Sequence, residues 1–225
     1  MRDPLVLPAP APLPVPPDLA ERLAGIKVTL DDTAVSRIAD FLGRLLAMNE
    51  HMNLTAITYP AEVWTRHALD ALTLVPELAR LPPKARVVDL GSGGGVPGII
   101  LAIARLDFSF TLVEATAKKA AFLADVAAAL GLTNVTVLNV RAESLHAGTT
   151  LRAFDAVTAR AVGKLEVLIP LAAPLIKTGG RMLFIKGERA DDERMAAQKQ
   201  LMRQRCRHRR TTQTPTGRVV VFVAG

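Results

Sequence analysis

Residues 86–104 read RVVDLGSGGGVPGIILAIA. Val87, Val88 and Leu90 form a short apolar run broken by Asp89. Gly91, Gly93, Gly94 and Gly95 follow, then Val96-Pro97-Gly98, then Ile99, Ile100, Leu101 and Ile103. This pattern predicts a buried strand, a tight glycine turn and an apolar helix. Pro97 suits the first helical turn, where a missing N–H is no loss. Such a turn lets a ligand approach the backbone, and it faces the positive end of the helix.

Two cofactor classes use this geometry. Gly93, Gly95 and Gly98 satisfy G-x-G-x-x-G, so a dinucleotide fold is open. Asp89, Gly91, Gly93 and Gly95 also fit the D-x-G-x-G-x-G turn of S-adenosylmethionine (AdoMet) methyltransferases. An acid at the end of the strand repels a pyrophosphate but suits the cationic methionine end of AdoMet. A strand–turn–helix without any ligand is the bland alternative, and glycines packed this densely argue against it.

Downstream, residues 109–113 read as a second strand ending in Glu114. An acid about twenty residues past the glycine turn is placed to accept from ribose hydroxyls. NAD and AdoMet both carry that ribose, so Glu114 does not discriminate. Residues 118–130 read as a helix and 134–140 as a third strand. At its end, Ala142 and Glu143 are placed to meet an adenine. Residues 154–159 form a fourth strand with Arg160 at its end, beside the cofactor's reactive part. A helix at 165–176, a fifth strand at 181–186 ending in Lys186, a polar helix at 191–205 and a last buried strand at 219–223 complete the reading. Strands alternating with helices give α/β with a mostly parallel sheet. Arg203, Arg205, Arg207, Arg209 and Arg210 form a dense basic run, either a solvated face or a contact for RNA phosphates.

Upstream, prolines at 4, 8, 10, 12, 14, 16 and 17 exclude a helix and favour an extended, disordered head. A helix is predicted over 29–52, capped by Asp31 or Asp32. Asn53-Leu54-Thr55 breaks it, and Pro60 opens another helical stretch. There Arg66, His67 and Asp70 fall together at helical spacing. The plain reading of His67 is a histidine hydrogen-bonded beside Asp70. The domain reading is a tail at 1–28, a helical cap at 29–82 and a core at 83–225.

The chain has 225 residues, half of them hydrophobic, which allows one sizeable domain with an appendage. Lysine and arginine (28) exceed aspartate and glutamate (21), giving +7 and favouring a polyanionic partner. Cys206 is the single cysteine, so no internal disulfide and no multi-cysteine metal site is expected. No metal cofactor, no membrane span and a reducing cytoplasm are expected.

Several motifs resemble one family. They are Asn53-Leu54-Thr55, Arg66-His67-x-x-Asp70, Asp89 through Gly98 with its Val-Pro-Gly, and Leu112-Val113-Glu114. Arg141-Ala142-Glu143, Thr158 through Ala161, and Lys186-Gly187 follow in order. Together they resemble the bacterial ribosomal RNA small subunit methyltransferase G family, also called glucose-inhibited division protein B. The resemblance implies a class I AdoMet-dependent methyltransferase: Rossmann-like, with a mostly parallel seven-stranded sheet and an N-terminal helical cap. It implies AdoMet as donor and N7 of a 16S rRNA guanine as acceptor, position 527 in the family's usual rRNA numbering. The small ribosomal subunit is then the partner, and the enzyme is expected to be a monomer. Cofactor contacts are implied at Gly91, Val96, Ala142, Glu143 and Arg160. With Asp89, Gly93, Gly95 and Glu114 they make the expected cofactor set. Asn53, Arg66, His67 and Lys186 are the substrate-side candidates. The alternatives are a methyltransferase for another RNA or small molecule, an NAD-dependent oxidoreductase, and a basic RNA-binding module with a vestigial turn.

Overall fold

The computed structural model describes residues 10–146 and 148–225. Prolines 4 and 8 of the head lie outside that range. Residues 1–9 of the expected tail lie outside the described residues, and from Pro10 onward the head packs against the cap. Leu13 is buried, and its N–H donates to the Ala39 carbonyl at 2.9 Å. The Trp64 indole donates to the Pro14 carbonyl at 2.8 Å. Prolines carry no N–H, so an extended proline segment can lie on a surface with few donors left unmet. The chain then forms α1 (Leu19–Gly25), with Leu19 and Leu23 buried.

The cap's main helix is α2 (Asp32–Asn49). Asp31 caps it, accepting from Ala34 N at 2.7 Å. Ile38, Phe41, Leu42, Leu45 and Met48 line its buried face. After the break come α3 (Pro60–Val63), a π-helical turn (Trp64–Leu69), α4 (Asp70–Leu72) and α5 (Val75–Leu78). Wide π turns are uncommon and recur at functional sites; this one carries Arg66 and His67.

The core follows as β1 (Arg86–Leu90), α6 (Gly98–Ala104), β2 (Ser109–Val113), α7 (Ala117–Ala129) and β3 (Val135–Leu138). Then come β4 (Phe154–Arg160), α8 (Leu165–Ala172), β5 (Ile176–Lys186), α9 (Ala190–Ala196), α10 (Gln198–Arg203), β6 (Cys206–Thr214) and β7 (Gly217–Ala224). The seven strands lie in the order β3-β2-β1-β4-β5-β7-β6. The first five strands are parallel, and β7 runs antiparallel to both β5 and β6. The cap, α6 and α7 cover one face, and α8 to α10 cover the other. The strand order reverses between β1 and β4, which opens a crevice at their carboxyl ends.

Three local expectations change. The predicted helix at 165–176 ends early, because β5 begins at Ile176 with a register shift against β4. The predicted helix at 191–205 is two short helices meeting at Ala197. The arginine run leads into an edge strand, β6, paired with β7. Charged side chains suit an exposed edge because they discourage another chain from pairing with it.

Candidate methyl-transfer site

The turn after β1 is built as its sequence predicts. Gly91, Gly93 and Gly95 all have positive φ, the region that side chains avoid. A side chain at Gly91 would meet Val162 at 2.8 Å. At Gly93 a Cβ would meet only the Gly91 carbonyl, at 3.8 Å, so a ligand can lie against this backbone. Gly95 and Val96 face the other way. A Cβ on Gly95 would meet Ile99, Leu123 and Phe41, and Val96 is buried in the cap-side core. Their side-chain positions therefore serve packing, and any cofactor contact at Gly95 or Val96 would run through the backbone.

Glu114 stands against that outer half. It is 8% exposed and accepts from Gly93 N at 2.9 Å and from Thr116 N at 2.7 Å. Asn139 ties the neighbouring strand end to the Glu114 carbonyl at 2.9 Å. Each Glu114 oxygen keeps a second lone pair, which fits a ribose with two hydroxyls. Ala142 is half-buried and Glu143 exposed, on a 3-10 turn directly after this corner. The donor set and the open backbone at Gly93 fit AdoMet.

Asp89 is fully buried, so it does not reach the crevice directly as the sequence suggests. Its Oδ1 accepts from the Thr158 hydroxyl at 2.7 Å, and its Oδ2 lies beside Gly98. A Cβ on Gly98 would strike both Asp89 and Leu112. The carboxylate thus sits behind the turn and acts on it through the field. Burial pushes its pKa up to about 6, against the pull of Thr158 and Ser92.

On the acceptor side, Arg160 joins the sheet to the cap. Its guanidinium donates to the Arg66 carbonyl at 2.5 Å, to His67 Nδ1 at 3.1 Å and to Asp70 at 3.4 Å. These contacts tie the end of β4 to the cap. His67 Nδ1 also lies 3.0 Å from the Arg66 carbonyl, and Nε2 lies 2.9 Å from the Thr55 hydroxyl. His67 is 1% exposed. It is a hydrogen-bonded core histidine, but its partners are Thr55, Arg160 and the Arg66 carbonyl rather than Asp70. Asp70 instead accepts from Thr216 in the β6–β7 turn. Asn53 and Arg66 are exposed. Asn49 organises the loop before them, accepting from Leu54 N and Thr55 N at 2.8 Å each.

Lys186 is also committed. Its ammonium pairs with Glu193 at 2.7 Å and donates to the Gly163 carbonyl at 2.6 Å. Glu193 in turn accepts from Leu165 N at 3.0 Å. Lys186 therefore fixes the loop after β4, where Ala161 holds a positive φ. As a substrate contact it would first have to leave these partners. Sequence reasoning missed Asn49, Glu193 and Thr216, and it singled out Thr55 and Thr158 within motifs without assigning them a partner. Among the described residues no three His, Cys, Asp or Glu side chains cluster as metal ligands, and no helix is long and apolar enough to cross a membrane.

Burial, then the nearby Arg160 charge, lowers the His67 pKa from 6.5 to about 4. Its contribution to stability therefore holds above pH 6.5 and is lost as pH falls toward 4. Asp89 has the opposite sign. Its contribution holds below pH 3.8 and is lost as pH rises through about 6. The two oppose each other across one window. Asp89→Asn leaves the His67 half unopposed, so its melting temperature should fall more steeply than the parent's between pH 6.5 and 4. Thermal melts across that range check this, and parallel curves would remove Asp89 as a titrating group.

The strand order with its reversed β7, the glycine turn and the acid closing β2 define a class I AdoMet-dependent methyltransferase. Solved structures agree on the fold. An SAM-dependent O-methyltransferase from Thermotoga maritima superposes with TM-score 0.53 at 17% identity, over 80% of this chain and 71% of that one. A ribosomal protein L11 methylase from Lactobacillus delbrueckii subsp. bulgaricus superposes with TM-score 0.52 at 17% identity, over 71% and 79%. The family profile described as rRNA small subunit methyltransferase G matches residues 34–220, and the chain belongs to that family. The ribosomal RNA small subunit methyltransferase G of Sorangium cellulosum (strain So ce56) is 57% identical over 221 residues, 98% of this chain and 92% of that protein. The protein of the same name from Burkholderia multivorans is 40% identical over 176 residues, 78% and 77% of the two chains.

Proposed function

We propose that this chain methylates N7 of a guanine in the 16S rRNA of the small ribosomal subunit, with AdoMet as donor. The observation that carries this reading is the family match over residues 34–220, on a chain whose glycine turn and Glu114 form a nucleoside cradle. AdoMet, when bound, supplies an electrophilic methyl group on a cationic sulfonium. Glu114 holds the ribose, and Ala142 and Glu143 border the adenine. Guanine N7 has a free lone pair at neutral pH, so no general base is required. That suits a site in which His67 and Asp89 are sealed in the protein and Glu114 is committed to the turn. The residues' task is orientation, which contributes up to roughly 7–11 kcal/mol when reacting atoms are aligned. N7 faces the deep RNA groove that side chains reach poorly, so the target base must be unpaired or splayed out. Arg66 and Asn53, exposed on the cap, border the space it would enter. The enzyme works as a monomer in the cytoplasm.

The test incubates the protein with radiolabelled AdoMet and small subunits from a strain lacking this methylation. The expected product is one N7-methylguanine, mapped by borohydride–aniline cleavage. Label on protein, DNA or another base would overturn the acceptor assignment.

A further inference from the structure

Two cavities meet under the β6–β7 turn. One, about 520 Å³, lies between α3 and that turn, with Arg66 and Thr216 on its wall. The other, about 760 Å³, continues between α1, α5 and the outer strands. Arg22, Thr65 and Pro215 border both. The second cavity is cationic. Arg22, Lys27, Arg80 and Arg210 line it, and Glu77 is the acid among its lining residues. Glu77 is oversubscribed. Arg181 reaches it at 2.9 Å, Arg80 at 3.9 Å, and Arg210 contacts it as well, so three guanidiniums share one buried carboxylate. Lys27 is exposed and has no carboxylate partner among the described residues. Ile26, Leu69 and Val219 give the cavity an apolar floor.

We propose that this second cavity receives the phosphate backbone of the rRNA strand beside the target guanine, with Lys27, Arg80 and Arg210 as the phosphate contacts. The proposal rests on the RNA reading above. Hydrogen bonds tie the end of β4 to the first cavity. Arg160 at the end of β4 is held by Asp70, Asp70 by Thr216, and Thr216 lines the first cavity. A strand whose target base sits at the end of β4 can cross the β6–β7 turn and enter the basic chamber. Arg22 is paired with Asp18 at 2.7 Å. Arg80 and Arg210, however, share one acid with Arg181, and Lys27 has none among the described residues. This is an excess of positive charge that a polyanion relieves, with release of counterions. The arginine run thereby acquires a specific role at Arg210, while Arg207 and Arg209 lie along the edge strand.

The test measures binding of a single-stranded RNA oligonucleotide by fluorescence anisotropy over a range of salt. It compares the full chain with Lys27→Ala/Arg80→Ala. The expected result is roughly tenfold weaker RNA binding and a log K against log salt slope flatter by about 1.4, two contacts at about 0.7 each. AdoMet affinity, read by calorimetry, should be unchanged. Should the double variant lose AdoMet, Lys27→Ala alone, which breaks no ion pair, carries the comparison. Unchanged RNA affinity and slope in a variant that still binds AdoMet would overturn the proposal. Equal binding of polyglutamate by the parent chain would reassign the cavity to an acidic protein. A parent chain with no salt-dependent RNA affinity would instead sink the RNA reading itself.

Discussion

Asp70→Ala is expected to lower stability by about 3–5 kcal/mol, the cost of breaking a buried ion pair from one side. Asp70 is 7% exposed and Arg160 20% exposed on their side chains. The variant strands a guanidinium among the Arg66 carbonyl, His67 and a second nearby charge, Arg66 itself. It also leaves the Thr216 hydroxyl without its acceptor. Urea unfolding of the parent, Asp70→Ala and Thr216→Val separates the two losses. Thr216→Val should cost about 1 kcal/mol, the range for one hydrogen bond. A loss below that for Asp70→Ala would show that Arg160 needs no counterion.

Glu114→Ala is expected to weaken AdoMet by about 1–3 kcal/mol, because hydrogen-bonding groups are left unmet on both sides. Two mechanisms add. In the proposed complex the ribose would lose its acceptor, and the Gly93 and Thr116 amides lose theirs. Calorimetry with AdoMet and with NAD, beside a thermal melt, reads both. Unchanged AdoMet affinity in a folded variant removes Glu114 from the site. Tight NAD binding by the parent would bring back the oxidoreductase alternative.

The β1–turn–α6 unit and Glu114 were legible because their determinants are local. An apolar run, clustered glycines and an acid at a strand end each act within a few residues. The acceptor side was less legible for the opposite reason. Thr216 meets Asp70 across 146 positions, and Arg160 meets His67 across 93. Spacing in the chain cannot announce such pairs. His67 and Asp70 sit three apart, so helical spacing suggested a mutual bond that the π turn and Arg160 supersede. Lys186 looked available because its partner, Glu193, lies in a helix whose docking no local pattern specifies.

Strand β6 was hidden by charge. Arg207, Arg209 and Arg210 mask the threonines at 211, 212 and 214 that suit a strand. The turn signal at Pro215 and Gly217, between those threonines and the valines of β7, was the available clue. The Pro-rich head misled in another way. Low helix potential was read correctly, but an extended segment can still pack where Trp64 offers a donor and α2 a carbonyl.

The antiparallel strand β7 has a consequence for the order of synthesis. A ribosome releases residues 86–186, with the glycine turn, Glu114 and Arg160, before β7 exists. Until then β5 ends in a bare row of peptide groups, a template for wrong pairing. Asp70 waits equally for Thr216. The nascent chain therefore holds the glycine turn and Glu114 but neither a sealed sheet nor an anchored cap. Competence arrives late in translation, and until then the growing chain depends on whatever shields that edge.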